Sequence, residues 1–126
     1  MDIIRLQPTK SSNKLRLLLW FVLAIFAREG FGLSEEKEIE RGAKEHQKIV
    51  SQFGVYRDDR LTTYIDRVGQ RLAKQSTRPE LKYTFTVLND DMINAFALPG
   101  GFIYITRGML MHLNSESELA AVLGHE

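Results

Sequence analysis

The chain has 126 residues, a formal net charge of +1 and no cysteine. That length can bury a core of its own, and a charge this close to zero gives no reason to expect nucleic acid or an acidic partner. The absence of cysteine excludes a disulfide framework, a thiol nucleophile, a Cys-rich zinc finger and a lipidated Cys, so any zinc has to be held by His and carboxylate.

Residues 1–14 are polar and carry Arg5, Lys10 and Lys14. Residues 15–27 are almost wholly apolar, with an uninterrupted run Leu17–Ala27 of 11 residues. A membrane-spanning helix needs about 20. A basic lead before a short apolar core is the pattern of a secretory signal peptide. Cleavage after Ala27 is conceivable, although Ile25 departs from the small-residue rule. A short uncleaved membrane anchor and a buried core helix are the alternatives. The expected division is a signal peptide or anchor over 1–27, a linker over 28–33 and a folded domain over 34–126. An exported protein of the periplasm or cell envelope follows, with membrane association possible through 15–27.

Ser34 caps a helix with Glu35 and Glu36 in its first turn, running to about Gln52 before Gly54 stops it. Ile39, Ala43, His46, Val50 and Phe53 recur at helical spacing and form its expected apolar face. His46 on that face reads as a hydrogen-bonded core or rim histidine, with metal ligation as the alternative. Asp58 or Asp59 opens a second helix, with the stripe Leu61, Ile65, Val68 and Leu72 and Tyr64 beside it. It ends near Ser76, and Arg78-Pro79 breaks it. Arg60, Arg67, Arg71 and Lys74 read as its solvated face.

Lys82–Leu88 alternates: Tyr83, Phe85 and Val87 face one way, Thr84 and Thr86 the other, as in a half-buried strand. Asn89-Asp90-Asp91 is a turn. Two apolar, β-prone runs then flank Pro99-Gly100-Gly101, which predicts a strand from Ile93, a tight turn and a second strand to Thr106, ended by Arg107-Gly108. Met109–Leu113 is a short helical stretch containing His112, a buried structural His or an active-site neighbour.

The last predicted element is a helix over Ser115–Glu126. Asn114 or Ser115 caps it, and Ser115 with Glu118 has capping-box spacing. Leu119, Val122 and Leu123 form its stripe. It ends on His125-Glu126, the first half of the zinc-helix pattern H-E-x-x-H, in which His at i and i+4 share a face and the Glu at i+1 takes a proton from the attacking water. A lone His-Glu is common by chance. Gly124, a weak helix former, would suit close approach of another backbone. Extended protease substrates add as a strand to a sheet edge; the small or polar Asn94, Ala95 and Ala97 would let a peptide backbone approach, the alternative being an ordinary hairpin whose alanines pack on helices.

Together, Asn94-Ala-Phe-Ala-Leu-Pro-Gly-Gly101, Thr106-Arg-Gly108 and Glu118-Leu-Ala-Ala-Val-Leu-Gly-His-Glu126 resemble the zinc metallopeptidases that include HtpX and the CAAX prenyl protease, most closely the exported BepA-like and LoiP-like branch. The resemblance runs from about residue 34 to the end. It implies an α+β, zincin-like fold, with helices on a small sheet. It implies Zn2+ held by two His and a downstream Glu, and endopeptidase action on misfolded or misassembled envelope polypeptides. On this reading His125 is a zinc ligand and Glu126 the catalytic base. Asn94, Ala95, Phe96, Ala97, Leu98, Pro99, Gly100 and Gly101 border the substrate cleft. The second His and the downstream Glu are not among these 126 residues, so the chain by itself is expected neither to bind zinc tightly nor to cleave peptides. Stopping in mid-motif without a C-cap residue points to truncation. Two other readings stand beside the protease: a non-catalytic fragment that binds unfolded chains or a membrane partner, and a small membrane-anchored helical protein with a chance His-Glu. The last predicts no hairpin next to the terminal helix.

Overall fold

The computed structural model describes residues 34–126, so the expected signal peptide or anchor over 1–27 and the linker over 28–33 lie outside the described residues. Within them no helix is long and apolar enough to cross a membrane. The first helix, α1, spans Glu35–Phe53, with Glu35, Glu36 and Glu38 in its first turn, where negative charge suits the helix dipole. Ser34 holds the extended N-cap conformation, but its side chain makes no capping bond. Helix α2 spans Asp59–Ala73; the Asp58 carboxylate accepts from the Leu61 N–H at 3.0 Å and caps it. It stops short of the expected Ser76, and a turn carries the chain on.

Strands β1 (Thr84–Leu88), β2 (Ala95–Leu98) and β3 (Phe102–Thr106) form a sheet in the order β1-β3-β2. The expected hairpin is present: β2 runs antiparallel to β3, with Phe96 opposite Tyr104, and Gly100 and Gly101 turn the chain at φ +86° and +84°. Those angles favour glycine because no Cβ has to be accommodated. Its existence excludes the reading as a plain helical protein. The parallel pairing of β1 with β3 (Phe85 opposite Ile103) is a long-range contact that strand alternation does not reveal. Ile93 and Asn94 precede β2 rather than belonging to it.

The hairpin ends at Thr106 as expected, and Arg107 begins α3 (Arg107–Leu110), a single turn capped by the Thr106 hydroxyl, which accepts from the Met109 N–H at 3.0 Å. The chain then turns where helix was expected to run on to Leu113. Helix α4 spans Glu116–His125. Ser115 Oγ accepts from the Glu118 N–H, and the Glu118 carboxylate accepts from the Asn114 N–H at 2.6 Å. This is a capping box closed one residue further out than the usual pair.

Helices cover both faces of the sheet. Ile65 and Val68 of α2 and Leu119 and Leu123 of α4 pack with Val87, Ile103 and Ile105 into one buried core. On the opposite face α1 packs on β2 and β3. The side of α1 turned to the sheet is rotated from the expected one, although His46 of the expected face does meet the sheet. The buried residues of α1 are Gly42 and Ile49, while Ile39 is exposed. The reason is steric: the Pro99 carbonyl oxygen lies 2.0 Å from where a Gly42 Cβ would sit, so the helix approaches the hairpin turn along its one side-chain-free position. Glu38 completes that junction. Its carboxylate accepts from the Gly100 N–H at 3.1 Å and from Arg78 at 2.9 Å, and the Arg78 hydrogen bond is the chief cause that lowers its pKa.

Candidate active site

His125 is the last residue of α4 and Glu126 follows it as the C-cap. With Leu119 and Leu123 buried in the core, the helix is fixed along its length and presents its C-terminal end to a cleft of about 540 Å³. Leu72 of α2, Ser76 of the turn after it, Tyr83 just before β1, Phe85 of β1 and Ile103 of β3 line it together with Leu123–Glu126. The floor is apolar and the rim polar, with Ser76 Oγ 3.2 Å from the Tyr83 hydroxyl. Glu126 is exposed overall, yet the protein around its carboxyl displaces enough water to raise its pKa, a shift that the neighbouring His125 opposes. A carboxyl so perturbed takes up a proton more readily than an ordinary surface glutamate, as a general base requires. Gly124 has nothing within 4 Å of its would-be Cβ, so the described residues show no close backbone approach there.

The cleft does not collect every residue expected at the site. None of Asn94–Gly101 lines it. Ala95 and Ala97 point into the core beneath the sheet, as the ordinary-hairpin reading had it. Phe96 stacks on Tyr104 on the opposite face, with ring centroids 4.8 Å apart. Pro99, Gly100 and Gly101 form the turn, where Pro99 and Gly100 press against α1. What β2 does present is backbone. Thr106 N donates to Asn94 O at 3.0 Å. Bonded pairs alternate along an antiparallel ladder, so the N–H and C=O of Ala95 and Ala97 turn away from β3. Among the described residues β2 pairs only with β3, whereas the outer edge of β1 is met by Val55, which bridges to Leu88. β2 is therefore an edge strand with no strand on its outer side among the described residues. The cleft walls from α2 and β1 were missed in the sequence because they approach α4 only through the parallel β1–β3 pairing and the α2–α4 packing.

The other two imidazoles are engaged elsewhere. His112 Nδ1 lies 2.8 Å from the Gly108 carbonyl, which fixes its ring against its own turn. His46 stands on the far face of the sheet, stacked on Phe102 and 2.7 Å from the Tyr104 hydroxyl. Burial raises the Tyr104 pKa, so the phenol keeps its proton within hydrogen-bond reach of His46 Nδ1. Desolvation lowers the His46 pKa below its ordinary 6.5. The core-or-rim expectation for His46 thus describes its surroundings. A pH effect follows. As pH falls through 6.5 the unfolded chain takes up this proton before the folded one does, so the part of the stability that depends on neutral His46 is full above 6.5 and declines below it. Thermal midpoints at pH 7.5 and pH 5 should differ less in His46→Gln, which keeps a hydrogen-bonding group for Tyr104 but does not titrate.

Among the described residues no three His, Asp or Glu side chains stand close enough to hold a metal ion. A catalytic zinc takes three protein donors and a water. His125 offers one donor, facing the cleft.

The model of Peptidase family M48 matches residues 59–126, which spans α2, the sheet, α3 and α4. The chain is 35% identical over 97 residues to the putative beta-barrel assembly-enhancing protease of Vibrio cholerae serotype O1, and 31% identical over 97 residues to the beta-barrel assembly-enhancing protease of Escherichia coli strain K12. Each alignment covers 77% of this chain and 20% of the relative. It is also 35% identical over 101 residues to the mitochondrial metalloendopeptidase OMA1 of Schizosaccharomyces pombe, covering 75% of this chain and 28% of that protein. The chain thus spans between a fifth and a third of the length of these curated relatives. A match that takes in more than half of the chain and ends on His125-Glu126 identifies it as a member of peptidase family M48, similar to the beta-barrel assembly-enhancing proteases.

Proposed function

We propose that this chain is part of a zinc-dependent metalloendopeptidase that acts on misfolded or misassembled polypeptides of the cell envelope. The observation that carries the reading is the placement of His125 and Glu126 at the end of a core-anchored helix, facing a cleft, within the stretch that matches the M48 family. In this reading His125 is one zinc ligand. The Glu126 carboxylate takes the proton of a water that attacks the scissile carbonyl and later passes it to the leaving amine. An extended substrate lies antiparallel or parallel along the outer edge of β2, bonded through Ala95 and Ala97. Asn94–Gly101 contribute through backbone, and the Pro99–Gly101 turn holds the strand against α1. The apolar segment 15–27 directs the protein to the envelope.

The same reading holds that residues 34–126 alone bind zinc weakly and do not cleave, because His125 is their one donor at the motif. Zinc per chain, measured by elemental mass spectrometry after loosely bound metal is removed, should be well below one. In a form lengthened beyond Glu126 with the corresponding segment of the Vibrio cholerae relative, it should approach one. About one zinc in the 126-residue chain would mean that His46, His112 or a second molecule completes the site. That outcome would overturn the reading of this chain as inactive.

A further inference from the structure

We infer that the triplet Thr106-Arg107-Gly108 is a clamp that positions the outer edge of β2 for a peptide, with Arg107 as the positioning residue. The inference rests on the proposed role of β2 and concerns how that edge is held. The loop leading into β2, residues 89–94, is gripped by all three members of the triplet in turn.

Thr106 is 3% exposed, a buried hydroxyl among apolar neighbours. Its oxygen accepts from the Asn94 N–H at 3.1 Å and shares its hydrogen between the Met92 and Asn94 carbonyls. Arg107 reaches back along the loop: its Nε donates to the Asn89 side-chain carbonyl at 3.2 Å, and its Nη2 pairs with the Asp91 carboxylate. Gly108 N donates to the Asp90 carbonyl at 2.9 Å, and a Cβ at Gly108 would meet the Asp91 carbonyl oxygen at 2.1 Å. Successive residues of one chain thus fix Asn89, Asp90, Asp91, Met92 and Asn94. Asn94 is the last residue before β2, and its bond to Thr106 sets which backbone groups of β2 face outward.

The three grips differ in what they do for the fold. Thr106 and Gly108 are buried and packed, and their loss would disturb the core. The Arg107–Asp91 pair is not of that kind, because the Asp91 side chain is 84% exposed. An exposed ion pair adds little to global stability. Its effect is local: it ties the loop down over the root of the strand. Removing it frees the loop without unfolding the domain, and misplacing a binding edge by a fraction of an ångström weakens whatever aligns with it.

The test uses the 126-residue chain, Arg107→Ala, Asp91→Ala and the double variant. Hydrogen exchange at residues 94–98 and the affinity for a fluorescein-labelled decapeptide of alternating Thr and Val are measured alongside the thermal midpoint. Each single variant should keep the midpoint, speed exchange at Phe96 and Leu98, whose N–H groups face β3, and weaken peptide binding by roughly tenfold, the scale of a small misalignment. The double variant should lose no more than Arg107→Ala alone, which already cuts the Asp91 link together with the Asn89 bond. Arg107→Lys, which keeps the charge opposite Asp91, should recover most of the affinity. Unchanged exchange in the variants would overturn the clamp. Faster exchange with intact peptide affinity would overturn its role at the binding edge and leave the function reading standing. A parent chain that binds no peptide would sink both the role of β2 and this inference.

Discussion

Gly42→Ala should destabilise the domain by about 3 kcal/mol or more, the upper range for forcing atoms into a filled interior. In an exposed helix the same change would stabilise by close to 1 kcal/mol, because Ala is the better helix former. The sign reverses at this position because of one neighbour. The new Cβ would sit 2.0 Å from the Pro99 carbonyl oxygen and 2.9 Å from the Phe102 ring. The ring could swing away, but the carbonyl belongs to a turn whose next residue, Gly100, is bonded to Glu38 four residues before Gly42. Relief requires α1 to lift off the hairpin, and lifting it separates His46 from Tyr104 and Phe102. Urea denaturation of Gly42→Ala, with Gly124→Ala as the comparison, checks this. Gly124 has open space at its Cβ and should tolerate the change. Equal midpoints for the two variants would show that α1 does not depend on the close approach.

The contrast between Gly42 and Ile39 also shows how far a single chain can be read. Local signals carried over well. Asp58 caps a helix, Ser115 and Glu118 close a capping box, and Pro99-Gly100-Gly101 turns a hairpin. Each depends on atoms within a few residues, and the chemistry of the side chains states it directly. The face of α1 was read only in part, because apolar spacing is a statement about side chains, while the contact that orients this helix is made by the absence of one. Ile39, apolar and in register, is left exposed, and Gly42 is buried. The hairpin ends at Thr106 as expected, but the helical turn after it starts at Arg107 rather than Met109, because Thr106 caps it and the loop 89–91 rests against it. His125 and Glu126 were singled out by their pattern, but the walls of their cleft were not. Tyr83, Phe85 and Leu72 reach it through pairing and packing between segments far apart in the chain, and no local periodicity encodes that.

Glu126→Gln should abolish peptide cleavage in a form lengthened to supply the remaining zinc donors, lowering kcat by roughly a thousandfold, the middle of the range for losing a general base. Gln is close to Glu in size and shape, so packing against Leu123 and the cleft should be unchanged. What is lost is the acceptor for the proton of the attacking water. The surroundings of Glu126 already favour uptake of that proton, since desolvation raises its pKa against the influence of His125. The variant therefore separates two roles. If Glu126 is the base and His125 a donor to zinc, Glu126→Gln should retain about one zinc per chain and bind peptide normally while failing to cleave it. His125→Ala should lose both metal and cleavage. Thermal midpoints of the two variants in the 126-residue chain should match the parent, because His125 and Glu126 are exposed and lie beyond the buried part of α4. Cleavage that survives Glu126→Gln would assign the proton transfer to another group and leave the end of this chain with metal binding as its one chemical role.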